Sequence, residues 1–192
     1  WVTRIPWNAA TQDNLDISRA KQVLDKNHYG MKSVKELVLD YLAVMKLRLD
    51  KGQVEEKSGD IYDAAQKRGS VSLLSIICFV GLQGVGKTTM AKSIAETLGR
   101  KFVRISLGAI GSVTRLRGQS RAYMDAEPGQ IVKSLVRTET MNPVILLDEI
   151  DKVSGQQGIL SDVMAALLEI LDPEQNYAFV DHYIDYPINL SE

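Results

Sequence analysis

The sequence has 192 residues, enough for one domain and an appendage at roughly 150 residues per domain. Lys and Arg number 23 against 24 Asp and Glu, a formal net charge of −1 that excludes a nucleic-acid binder held by bulk positive charge. The single cysteine, Cys78, excludes an internal disulfide framework and points to a reducing compartment, and no apolar run approaches the ~18 residues that span a bilayer.

Trp1 to Thr11 reads as an extended lead-in; a start at Trp1 rather than Met suggests a segment excised from something longer. Asp13 or Asn14 can then cap a helix in which Leu15, Ala20, Val23 and Leu24 share a face, stopping near Asn27 before a Tyr29-Gly30 turn. A second helix is predicted from about Met31 to Leu49. Its apolar stripe is Met31, Val34, Leu37, Val38, Tyr41, Leu42 and Met45. Asp50 to Ser72 is polar and mixed in charge, and reads as an exposed insertion.

Leu73 to Val80 is a continuous apolar run, as in a strand buried on both faces, with Cys78 as a small core hydrophobe. A helix follows from Gly86 to about Leu98, stopped by Gly99. Lys101 to Leu107 reads as a strand, and Gly108 to Gly129 as a long glycine-rich basic loop with one helical turn. Ile131, Val132, Leu135 and Val136 mark another helix. Val144 to Leu147 is an apolar strand, Val163 to Leu171 a helix ended by Asp172-Pro173, and Tyr177 to Pro187 a short strand or hairpin. Alternating strands and helices predict an α/β fold with a mostly parallel sheet and helices on both faces.

Gly81-Leu82-Gln83-Gly84-Val85-Gly86-Lys87-Thr88 fits G-x-x-x-x-G-K-[ST] between a predicted strand and a predicted helix. Wrapping a polyphosphate in backbone N–H groups needs turns that side chains would block, which Gly81, Gly84 and Gly86 permit. The amides then converge on phosphate at a helix N-terminus, whose dipole favours negative charge. Lys87 can reach the β- and γ-phosphates, and Thr88 can offer its hydroxyl to Mg²⁺.

Four apolar residues, Val144 to Leu147, run straight into Asp148 and Glu149. At the carboxyl end of a parallel strand, Asp148 is placed to hold Mg²⁺ and Glu149 to polarise an attacking water. That second acid favours a hydrolase over a transferase such as a small-molecule kinase. In the loop Gly108–Gly129, Arg115, Arg117 and Arg121 accompany the pair Tyr123-Met124, which reads either as a solvated basic loop or as a surface facing another polymer. No Asn-Lys-x-Asp base-recognition motif is present, and His28, His182 and Cys78 do not form a zinc motif.

Together GLQGVGKTTMAKSIAETLGR, RISLG, AYMDAEPGQI, NPVILLDEIDKV, ALLEILDPEQN and DHY closely resemble the ATPase module of Lon proteases, a branch of the AAA+ machines. WVTRIPWN and LDKNHYGM are similar to the segment leading into that module. LDYLAV and ISLG lean toward the peroxisomal type, which implies the peroxisomal matrix, with the mitochondrial matrix as the alternative.

The resemblance implies a P-loop NTPase large subdomain over 31–192, preceded by a helical lead-in over 1–30 and interrupted by the insertion 50–72. It implies ATP or ADP with Mg²⁺ held by Gly81, Leu82, Gln83, Gly84, Val85, Gly86, Lys87, Thr88, Thr89 and Asp148. His28 and Tyr29 match the segment that contacts adenine. Thr88 and Asp148 match the metal positions, and Glu149 and Lys87 the catalytic ones. Tyr123 and Met124 match the first pore loop, which grips unfolded polypeptide in a hexamer, and Gly155 to Leu160 fall near the second. Leu82-Gln83 and Asp125 depart from the family pattern. The chain ends at Ser191-Glu192, ahead of the family's sensors, arginine finger, lid and Ser–Lys protease domain. The resemblance therefore implies a monomeric fragment without proteolysis and with ATP turnover near background, since an arginine finger supplies ~10³–10⁵ in rate.

Overall fold

The computed structural model describes residues 1–56, 76–109, 112–153 and 157–191. The chain divides into two units, residues 12–100 and residues 1–11 with 101–192.

The first unit is helical. Helix α1 spans Ile17–Asn27, α2 Lys32–Glu56 and α3 Lys87–Leu98. The cap of α1 is Asp16, whose carboxylate accepts the N–H groups of Ser18 and Arg19 at 2.9 and 3.2 Å. Neither candidate cap from the sequence holds that place, because both are engaged elsewhere. Asp13 forms a two-pronged ion pair with Arg100 at 2.5 and 2.6 Å, and Asn14 accepts the N–H of Asp16 at 3.0 Å. Helix α1 packs against α2 and α3. Ala20, Leu24, Val38, Leu42, Met90, Ile94 and Leu98 are buried, each of the larger ones contributing about 1.5–3 kcal/mol.

The turn between α1 and α2 falls at Tyr29-Gly30 as predicted, with Gly30 at φ +69° and Met31 also left-handed at φ +49°. Helix α2 runs seven residues beyond the predicted Leu49, so residues 50–56 of the expected insertion are helical. Residues 57–72 of that insertion lie outside the described residues. Leu37, expected in the buried stripe, is 66% exposed, so the buried face is narrower and centres on Val38 and Leu42.

Of the predicted strand 73–80, residues 76–80 are described, and they form no strand. Val80 and Cys78 are exposed, so Cys78 is not the core residue expected.

The second unit is α/β. Strands β1 (Phe102–Ser106) and β2 (Val144–Asp148) pair in parallel, with Ser106 opposite Asp148. Helix α4 spans Val113–Arg117, α5 Gln130–Thr138 and α6 Gln157–Leu171. A short antiparallel pair, β3 (Phe179–Val180) and β4 (Pro187–Ile188), occupies the predicted hairpin. Helix α5 packs on β1, and α4 on both α5 and α6. The core joins Ile5, Ile105, Leu107, Leu116, Ile131, Leu135, Val163, Phe179 and Ile188.

The lead-in 1–11 belongs to this second unit. The Asn142 side chain accepts the Thr11 N–H and donates to the Thr11 carbonyl, both at 2.8 Å. The Met141 N–H donates to the Ala9 carbonyl at 2.7 Å. Trp7 meets Tyr186 edge-on at 5.8 Å.

Candidate functional site

The glycine-rich turn 81–86 enters α3 through two left-handed residues, Gly84 at φ +81° and Gly86 at φ +93°. An L side chain is strained in that region, so the path the phosphate reading requires is one that glycine supplies. A Cβ on Gly84 would meet nothing within 4 Å. No side chain caps α3, so the N–H groups of its first turn are left to an outside acceptor. Lys87 folds back on the turn, its Nζ donating to the Gly81 and Leu82 carbonyls, both at 2.7 Å. An ammonium has three protons, so one remains for an anion. Thr88 is half-buried in the same first turn, and Thr89 Oγ1 donates to the Gly86 carbonyl at 2.7 Å. Leu82, Gln83 and Val85 are exposed on the turn.

In the same unit His28 is buried, with Nε2 2.9 Å from Ser93 Oγ on α3, while Tyr29 is fully exposed. Burial, and then the charge of Lys35, hold the His28 ring below its ordinary pKa. Lys35 also donates to the His28 carbonyl at 2.7 Å and pairs with Asp25 at 2.8 Å. The structure thus separates the two residues grouped by the sequence: the ring of His28 faces α3, and the ring of Tyr29 faces solvent. Ser93 was not signalled, since a serine inside a helical run reads as filler.

In the second unit Asp148 ends β2 and Glu149 follows it. Residues 104 and 106 of β1 lie on one face, by the two-residue period of a strand. Arg104 Nε pairs with Asp148 Oδ2 at 2.8 Å, and the other oxygen of Asp148 accepts the Glu149 N–H at 2.9 Å. Ser106 Oγ donates to Glu149 Oε2, and Lys152 Nζ to Oε1, both at 2.6 Å. The hydrogen bonds from Lys152 and Ser106, with the attraction of Lys152 and Arg104, hold the Glu149 carboxyl below the usual range. Glu149 is itself left-handed at φ +62°. Gly108 packs under it: a Cβ there would lie 3.1 Å from Lys152 Cβ and 3.2 Å from Glu149 Oε2. Arg104, Ser106, Gly108 and Lys152 escaped the sequence reading. The signal for Arg104, Ser106 and Gly108 was present in RISLG, at the end of a strand parallel to the acidic one, and that for Lys152 in its place three residues after Glu149.

Tyr123 and Met124 lie at the tip of the loop between α4 and α5, and both are exposed. Of the expected second pore-loop segment, 155–156 lie outside the described residues and 157–160 belong to α6. Among the described residues no cluster of three or more His, Cys, Asp or Glu could hold a metal, and no helix is long and apolar enough to cross a membrane.

Over its full length the chain is 49% identical to Lon protease 2 of Thermus thermophilus, covering 22% of that protein. It is 49% identical to the Lon protease of Roseiflexus castenholzii, again covering 22%. The mitochondrial Lon protease homolog of Saccharomyces cerevisiae is 46% identical, with 15% of its length covered. The chain therefore spans about a fifth or less of these relatives. They are bacterial and mitochondrial, and the peroxisomal lean drawn from LDYLAV and ISLG finds no support in them. The chain is similar to the ATPase region of Lon proteases. Residues 77–182 match the family described as ATPase family associated with various cellular activities, and on that match the chain belongs to the AAA family.

Proposed function

We propose that this chain is the nucleotide-binding core of a Lon-type ATP-dependent protease, in which ATP hydrolysis drives unfolding and movement of polypeptide substrates. The observation that carries the reading is the glycine-shaped turn leading into the uncapped N-terminus of α3, with Lys87 folded beside it. Backbone amides there suit the phosphates of ATP or ADP, and Lys87 neutralises them. The donor chemistry also suits Mg²⁺, a hard cation that keeps several waters and takes one or two protein oxygens besides phosphate. Thr88 and Asp148 would hold it, and it would supply charge neutralisation to the phosphates. Glu149 orients and polarises the attacking water, its carboxyl held below the usual range and so ionised. Tyr29, and the backbone held by His28, serve the base. Tyr123 and Met124 touch polypeptide, in a hexamer of the full protein. The mitochondrial relatives support a mitochondrial matrix setting over a peroxisomal one where the source has organelles.

A second reading, binding without turnover by the 192 residues alone, is favoured by Glu149, both of whose oxygens are already engaged. Calorimetric titration of the chain with ATP and Mg²⁺ tests both. Binding is expected, with Lys87→Ala weakening it on the order of tenfold or more, as loss of charge-assisted hydrogen bonds implies. Turnover near background is expected for the chain. Robust turnover abolished by Glu149→Gln would replace the second reading by the first, and affinity unchanged in Lys87→Ala would remove both. Transfer of phosphate to a small hydroxyl compound would instead identify a kinase.

A further inference from the structure

Asp181 is fully buried and lies outside every role assigned above. Its Oδ2 accepts the Gly129 N–H at 2.7 Å, and its Oδ1 accepts the N–H groups of Tyr183 and Ile184 at 2.8 and 3.1 Å. Gly129 is the last residue before α5, and so the far foot of the Tyr123–Met124 loop. The near foot is Gly118, at φ +80°, where a Cβ would lie 2.5 Å from Asp181 Oδ1. One carboxylate therefore touches both ends of the loop. Between the feet, the Gln119 N–H donates to the Glu127 carbonyl at 3.1 Å and closes the neck. A Cβ on Gly129 would overlap the Leu116 carbonyl, so the two feet press directly together.

The segment carrying Asp181 holds the near foot a second time. The His182 N–H donates to the Arg117 carbonyl at 2.7 Å. The Arg117 guanidinium pairs with Glu169 on α6 at 2.8 Å and donates to the Val180 carbonyl at 3.2 Å. The neck is thus fixed to α6 and to the 179–184 turn, while the tip stands in solvent. Burying a carboxylate is costly unless hydrogen bonds replace its water, and here three backbone donors do so. Burial of that kind is weak evidence for stability as such. What this carboxylate secures is the geometry of a loop with an exposed aromatic tip.

We propose that Asp181 is the positioning residue of the Tyr123–Met124 loop, locking its neck so that the tip bears on polypeptide as a rigid lever. The proposal rests on the reading that Tyr123 and Met124 touch polypeptide. Asp181→Asn tests it, since the amide keeps an oxygen for Tyr183 and Ile184 but turns a donor toward the Gly129 N–H. Hydrogen exchange of the chain should show amides 119–129 opening about tenfold faster, the scale of one lost hydrogen bond, with β1 and α6 unchanged. In the protease assembly proposed above, degradation of fluorescein-labelled casein should fall several-fold while ATP hydrolysis persists. Gly118→Ala, which keeps Asp181 but displaces its carboxylate, should reproduce both effects and serves if Asp181→Asn fails to fold. Unchanged exchange in the loop, or exchange rising equally across the chain, overturns the proposal. So does intact casein degradation with a loosened loop, provided that Tyr123→Ala abolishes degradation. Intact degradation in Tyr123→Ala would remove the polypeptide-contact reading instead, leaving the exchange experiment to judge the neck.

Discussion

Three glycines in the phosphate motif look alike in the sequence and differ in the structure. Gly84 and Gly86 are left-handed, whereas Gly81 is not, and a Cβ on Gly81 would make ordinary contact with Val85 Cγ2 at 3.6 Å. A side chain in the left-handed region costs roughly 1–2 kcal/mol. At Gly86 the added Cβ would also press on Thr89 Oγ1 at 3.2 Å. Gly86→Ala should therefore lower stability by about 1–2 kcal/mol, and Gly81→Ala should stay within about 0.5 kcal/mol of the parent chain. Urea unfolding midpoints compare the two, and equal losses would show that the backbone conformation of the turn is not what separates them.

Elements were legible where a local rule had no competitor. The stop of α3 at Gly99 is such a case: that residue is left-handed, and its N–H reaches the Ala95 and Glu96 carbonyls. So is the parallel strand ending in Asp148, because an apolar run meeting two acids has few other readings. The start of α1 was not legible, because three polar residues competed for one cap and tertiary partners decided among them. Arg100, far along the chain, claims Asp13, and Asp16 is left to cap. The described part of the predicted strand 73–80, residues 76–80, is not a strand: an apolar run reports the burial a segment could support, not its conformation. Arg104 and Ser106 were missed because register, not composition, brings β1 beside β2. The cap assignment has a test. Asp16→Ala should cost about 1 kcal/mol, as loss of an N-cap does. Asp13→Ala should cost about 1.5–3 kcal/mol, as loss of hydrogen bonds to a charged group does. Asp13 pairs with Arg100 at a mostly buried position, whereas the Asp16 cap is exposed. Losses in the reverse order would contradict the assignment.

For the whole molecule, the buried histidine sets how stability responds to acid. His28 has a depressed pKa in the folded state, with burial as the first cause and Lys35 as the second. Unfolding restores it to about 6.5. The unfolded chain then binds more protons between the folded value and about 6.5, so stability rises with pH across that window. The contribution of His28 is fully present above about 6.5 and is lost as pH falls through the folded value. Asp25 and Glu149, whose carboxyls are held low by Lys35 and by Lys152 with Ser106, act in the same sense but only below the ordinary carboxylate range. Asp181, raised by burial against its three backbone donors, acts in the opposite sense: its contribution is present below the ordinary value and is lost as pH rises through the folded one. The urea midpoint should therefore fall between about pH 7.5 and pH 5.5, around the histidine value. His28→Gln, which cannot titrate and can still meet Ser93, should flatten that fall. An equal slope in the variant would show that the coupling of α1 to α3 through His28 and Ser93 does not govern the acid response.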